Sequence, residues 1–347
     1  MTYGDVTLHN AAELCPDGAL QRCPERVRLL LNERAREKMQ MPAGVEIRYV
    51  SDAPRSTVTI STDDGAAYSL YFGPYLVRSQ TITSAGEATV EVEMPDMLRR
   101  LADRAAAPAM FDPRVVRVLF GPPRQSRLRV LGVNGRAVRS PEPHHLPRRT
   151  MLAYGTSITH GASASAPHLT YVSLAARSLG VDVLNLGVGG ACHAEPELAD
   201  YFAERDDWDA ALVCLSVNMI GAGFSLEAFA DRVGYMVRTL AATGKPVYAV
   251  TIYPHFRDVP DLVNGPSERE NPELFRQALR DVVDDLGAQH VVLLEGPELL
   301  RDWHGLTPDL IHPSDHGMID IGYRLAESIR TSRPWRTLAA DHLKEQP

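Results

Sequence analysis

Apolar positions along this chain keep two different rhythms, and the change falls near residue 140. Before it, short alternating or β-branched runs recur at 45–50, 56–60, 68–72, 75–79, 89–93, 115–120 and 127–131. Gly, Pro, Asp and Asn punctuate the gaps, as at Asp63-Asp64-Gly65 and Asn134-Gly135. Period-two alternation puts one set of side chains on a buried face, and many short strands at this spacing predict a β-sandwich. One helix is expected ahead of them, over about 25–37, with Val27, Leu30 and Leu31 on a single face.

From residue 150 onward, strand-like runs at 150–154, 181–186, 211–217, 246–252 and 290–294 alternate with longer helix-period stretches. Those stretches cover 171–179, 226–243 and 272–286, and a last helix spans about 318–330. Such alternation implies an α/β fold, a parallel sheet with helices on both faces. Pro141, Pro143 and Pro147 lie between the two rhythms, where three missing N–H donors disfavour both helix and ladder. The expected organisation is a β-sandwich domain at 1–140, a linker at 141–149, an α/β domain at 150–332 and a tail at 333–347.

Charge sharpens this division only slightly: the chain is net +3 through Arg148 and −11 thereafter. A total of −8 over 347 residues argues against a nucleic-acid partner. The first residues carry no basic and apolar leader pattern, and no apolar run reaches the roughly 18 residues of a membrane span. Four cysteines (Cys15, Cys23, Cys192, Cys214) without a leader suit reduced thiols. The expectation is a cytoplasmic protein with no membrane partner.

Chemistry-bearing residues cluster just after predicted strands, on the sheet edge where open α/β folds bind ligands. Ser157, in Gly155-Thr156-Ser157-Ile158, follows the first strand; Gly190 follows the second; Asn218 follows the third; Asp309-Leu310-Ile311-His312 follows the fifth. A serine hydroxyl becomes nucleophilic when an imidazole takes its proton and a carboxylate fixes the imidazole tautomer. Asp309 and His312 are three residues apart, so one short loop can present both. The N–H groups of Ser157 and Gly190 and the amide of Asn218 would form an oxyanion hole. The competing reading of Ser157 is a helix N-cap.

Three rival motifs fit less well. His312 and His316 share the spacing of zinc-protease ligands, but Pro313 stands where the motif needs Glu. Gly187-x-Gly189, with Asp207 twenty residues on, suggests a dinucleotide loop, yet Cys192 occupies the third glycine position. Thr159 replaces the second glycine of the G-x-S-x-G elbow of α/β-hydrolases. No cofactor and no metal are expected.

These four blocks resemble the SGNH (GDSL-type) hydrolases, with Ser157, Gly190, Asn218 and His312 at the four positions and Asp309 in the Asp-x-x-His motif. The resemblance covers roughly 149–332 and implies a flavodoxin-like three-layer α/β/α domain with a five-stranded parallel sheet. It implies catalytic Ser157, Asp309 and His312. Two positions depart from the family pattern: Thr156 replaces the usual Asp, and Val217-Asn218-Met219 replaces Gly-Asn-Asp.

The Gly-x-Ser-Ile-Thr block behind a β-sandwich is similar to a subgroup containing esterases of acylated sugars and acyltransferases that decorate polyketides. The implied partners are a small-molecule acyl donor, such as an acyl-CoA, and a hydroxyl acceptor. The leading expectation is an O-acyltransferase, the second an esterase, and the third a non-catalytic carbohydrate-binding protein. Residues 160–169, 219–224 and 254–272 are expected to wall the acyl pocket.

Overall fold

The computed structural model describes residues 1–102, 110–263 and 270–344. All seven strand-like runs before residue 140 are strands, joined in antiparallel ladders. One sheet has six strands in the order Thr2–Tyr3, Val6–His9, Glu46–Tyr49, Val116–Gly121, Ala66–Phe72, Tyr75–Ile82. The other has three, Leu128–Asn134, Arg55–Thr62 and Gly86–Glu93. Along Arg55–Thr62 the side chains of Ser56, Val58, Ile60 and Thr62 turn inward and the alternate ones do not, as period two requires. Val58, Ile60, Val90 and Leu128 meet Ile47, Leu70, Val118 and Phe120 from the facing sheet. Tyr75 is exposed, unlike Tyr68, Tyr71 and Phe72, because its strand is the sheet edge.

The strand Ala66–Phe72 is buried at every position, because its outer face is covered by the second half of the chain. Ser69 hydrogen-bonds His168, and Gly121 in the neighbouring strand lies against Pro167. A buried ion network ties the halves more firmly. Arg48 donates to both oxygens of Asp182, at 2.5 and 2.7 Å, and to Glu46 at 2.7 Å. Arg117 forks onto the same Glu46. Bidentate pairing of this kind offsets the cost of removing the charges from water.

The helix expected over 25–37 is two short ones, Glu25–Arg28 and Glu33–Met39. The Asn32 side chain accepts from the Ala35 N–H and starts the second helix afresh, which leaves Leu30 62% exposed. Val27, Leu31, Ala35 and Met39 follow at intervals of four and pack into the α/β core beside Leu186, Val188 and Ala191. Arg22 pins this segment from below. Its guanidinium is buried and donates to the carbonyls of Lys38, Met41, Asn185 and Gly187.

The second half is an α/β/α sandwich around five parallel strands: Thr150–Gly155, Asp182–Asn185, Ala210–Cys214, Val247–Val250 and Val291–Leu294. Their spatial order is second, first, third, fourth, fifth, so the topological switch lies at the first strand. Helices Tyr171–Leu179 and Asp315–Thr331 cover one face through Val172, Ala175, Met318, Ile321 and Leu325. Helices Pro196–Glu204, Leu226–Ala241 and Pro272–Leu286 cover the other through Phe202, Phe229, Val233 and Phe275.

Pro143–His145 forms a single 3-10 turn within the proline-rich stretch, and residues Arg333–Lys344 of the expected tail are helical. Among the described residues, no helix is long and apolar enough to cross a membrane.

Candidate active site

The first parallel strand ends at Gly155, where an added Cβ would lie 2.3 Å from the Thr159 hydroxyl, so only glycine permits the tight turn into the next helix. That helix, Ser157–His160, is capped by Thr156, whose hydroxyl accepts from the Ile158 N–H. The N-cap duty therefore belongs to Thr156 and not to Ser157. The Ser157 hydroxyl donates instead to His312 Nε2 at 2.8 Å.

His312 Nδ1–H donates to Asp309 Oδ2 at 2.7 Å. A carboxylate only accepts, so the imidazole carries its proton on Nδ1 and leaves Nε2 free to receive the serine proton. Asp309 Oδ1 accepts from the N–H groups of Ile311 and His312 and from the Thr307 hydroxyl. Partial burial opposes ionisation of Asp309, but these four donors win and hold its carboxyl well below the usual carboxylate range. Leu310, between them, adopts a left-handed backbone (φ 51°), a costly conformation for a side-chain-bearing residue. Its carbonyl accepts from the Phe256 N–H, which braces the loop. His316 points to solvent from the following helix and takes no part in these bonds.

Gly190 and Asn218 come to the same place. Gly190 has φ +70°, and an added Cβ would lie 2.6 Å from the Arg34 guanidinium carbon. Among the described residues, neither the Gly190 N–H nor the Ser157 N–H has an acceptor. The third strand ends at Cys214, earlier than expected, and Asn218 sits on the helical turn Val217–Gly221. Asn218 Oδ1 accepts from the Cys192 N–H at 3.2 Å, so its amide nitrogen is left as the donor toward the cleft. Ser216 Oγ donates to the Cys192 carbonyl at 2.5 Å and locks the two blocks together. Cys192 itself is inert, since burial pushes its thiol up to about 12.

If Asn218 donates to an oxyanion, Asn218→Ala should lower kcat by about 10²–10³-fold. KM should barely move, because the oxyanion exists only after attack. Steady-state kinetics decide it: a raised KM with unchanged kcat would place Asn218 in ground-state binding.

These groups open into a cleft of about 750 Å³. Of the expected walls, 160–169 supplies His160 and Ala162, 219–224 supplies Gly221 and Ala222, and 254–272 supplies Arg257. Residues 264–269 of the last stretch lie outside the described residues. The opposite wall was not foreseen. It consists of Asn32, Arg34, Lys38 and Met41 from the capped helix region, with Pro123 and Gln125 from the sandwich. Nothing in the sequence singles these out, because charges on a short amphipathic helix resemble any solvated face.

Residues 153–318 match the family described as GDSL-like Lipase/Acylhydrolase. That segment, just under half of the chain, is what is similar to the GDSL-like acylhydrolases. Solved structures extend the likeness to the sandwich ahead of it. A salicylyl-acyltransferase, SsfX3, from a tetracycline biosynthetic pathway is 19% identical, covers 96% of this chain and 97% of its own, and has a TM-score of 0.76. A family two carbohydrate esterase from Cellvibrio japonicus is 13% identical, with 95% and 96% covered and a TM-score of 0.61. An acetyl xylan esterase from the rumen bacterium Butyrivibrio proteoclasticus is 11% identical, with 96% and 98% covered and a TM-score of 0.60. At these identities the likeness is one of fold. No curated protein sequence matches the chain.

Proposed function

We propose that this chain is a serine acyl-transfer enzyme working through an acyl-Ser157 intermediate, and that it moves an acyl group from a thioester to a hydroxyl. The observation that carries the chemistry is the unbroken relay from Ser157 through His312 to Asp309, beside two N–H donors that have no acceptor among the described residues. Ser157 Oγ attacks the acyl carbonyl while its proton passes to His312 Nε2. Asp309 stabilises the imidazolium that forms. The carbonyl oxygen, now an oxyanion, accepts from the N–H groups of Ser157 and Gly190 and from the Asn218 amide. Collapse breaks the bond to the leaving thiolate, which takes the proton from His312. An acceptor hydroxyl then gives its proton to His312 and attacks the acyl carbon; collapse breaks the bond to Ser157 Oγ, which takes that proton back from His312 and leaves both groups as they began.

Transfer is favoured by the size of the cleft and by its second wall. About 750 Å³ is at the upper end for a single small ligand, so donor and acceptor can share it. The wall from the first half of the chain narrows access for water from that side, which a transferase requires. The acceptor class that fits is a hydroxyl-bearing secondary metabolite such as a polyketide, in keeping with the fold of the tetracycline-pathway acyltransferase. An esterase is the second reading, favoured by the equally full-length match to carbohydrate esterases.

The two readings part on one measurement. Ser157 is acylated with a thioester, and the acyl-enzyme is left in buffer or given candidate hydroxyl compounds. Transfer predicts slow hydrolysis alone and discharge at least tenfold faster by the right alcohol, whose bound hydroxyl has a high effective concentration. Rapid release of free acid, unchanged by every hydroxyl compound tried, is the esterase outcome.

A further inference from the structure

The cleft is lined by three basic side chains, Arg34, Lys38 and Arg257, and by no Asp or Glu among the described residues. In a chain of net charge −8 that imbalance is local and opposite to the whole. Three acids near it are already engaged, and Glu37, beside Lys38 on the same helix, is exposed to solvent and does not line the cleft. Asp309 serves His312, Glu195 accepts from Asn32, and Glu270 lies 3.8 Å from Arg257. Arg34 has no hydrogen bond or ion pair among the described residues, and its guanidinium rests against Gly190. Among the described residues, the Lys38 ammonium reaches only the Met41 sulfur, at 3.5 Å.

A buried group points the same way. His160 is 6% exposed and lines the cleft. Its Nδ1 accepts from the Gly189 N–H at 3.3 Å, which assigns the ring proton to Nε2. That Nε2–H is buried with no acceptor. Burial, together with the nearby charges of Arg22 and Lys38, holds the ring well below the usual histidine range, so it stays neutral and keeps one donor. Leaving a buried donor unmade costs about 1–3 kcal/mol, a cost that a bound acceptor would remove.

We propose that the substrate carries an anionic group, a carboxylate or a phosphate, held beside Ser157 by Arg34, Lys38 and the Nε2–H of His160. This rests on the acyl-Ser157 reading and adds the chemical class of the molecule that reaches it. Arg34 and Lys38 come from the first half of the chain, so that half takes part in substrate selection as well as in closing the cleft. The anion has two sources. It is either the phosphates of a coenzyme A leaving group or a carboxylate on the acyl group itself.

Labelling of Ser157 by a neutral fluorophosphonate probe tests the proposal on the full chain. The labelling rate is measured with coenzyme A against neutral pantetheine, and with adipate against neutral adipamide. One anionic compound should slow labelling at least tenfold at saturation while its neutral counterpart does not. Coenzyme A identifies the leaving group as the source, and adipate the acyl group. The protection should weaken with added salt. It should vanish in the Arg34→Ala, Lys38→Ala double variant and persist in Arg34→Lys. Both side chains reach solvent, so the variants should fold. Labelling indifferent to both anions, or protection that survives the double variant, overturns the anion site and leaves the acyl-serine chemistry standing. A Ser157 that takes no label sinks the acyl-serine reading, and the anion site falls with it.

Discussion

Ser157→Ala should abolish acyl-adduct formation and lower turnover by about 10⁴-fold or more, as removal of the nucleophile does in other triad enzymes. The expectation rests on a hydroxyl already 2.8 Å from an imidazole in the accepting tautomer. Two checks apply: intact-protein mass after incubation with a thioester, and steady-state rate. A variant keeping a tenth of the wild-type rate would remove Ser157 from the mechanism. Stability should change little. The helix start is capped by Thr156, so the substitution leaves that N-terminal N–H group satisfied. The one bond lost is to a ring that is only partly buried and can turn to water, worth about 1 kcal/mol or less.

Much of this machinery is legible in the residues themselves. Gly155-Thr156-Ser157 and Asp309-Leu310-Ile311-His312 are local motifs, and a strand rhythm places each at a sheet edge without knowledge of distant contacts. Seven of the nine sandwich strands and the five parallel ones are legible for the same reason, since period two and short apolar runs are local signals, whereas Thr2–Tyr3 and Val6–His9 are too short to give one. What local signals miss is set by tertiary contact. The break between Glu25–Arg28 and Glu33–Met39 follows from an Asn32 cap, although the apolar pattern runs straight through it. Asn218 lies on a helical turn because the third strand stops at Cys214, while the apolar run continues to Val217. Arg34 and Lys38 look like solvated charges until the buried Arg22 ties their helix to Gly187 and sets it across the cleft from Ser157.

His312→Ala should cost about 10⁴-fold or more in kcat, whereas Asp309→Asn should cost somewhat less, about 10³–10⁴-fold. In the proposed mechanism the histidine does two jobs, taking the serine proton and returning it to the leaving group. The asparagine could still hold the ring, but its amide can donate to Nδ1 and so favours the tautomer with Nε2 protonated, which cannot accept from Ser157. His316→Ala is the control. It lies four residues from His312 on an exposed helical face and should leave the rate within about twofold. Indispensable His316 with dispensable His312 would reverse the assignment.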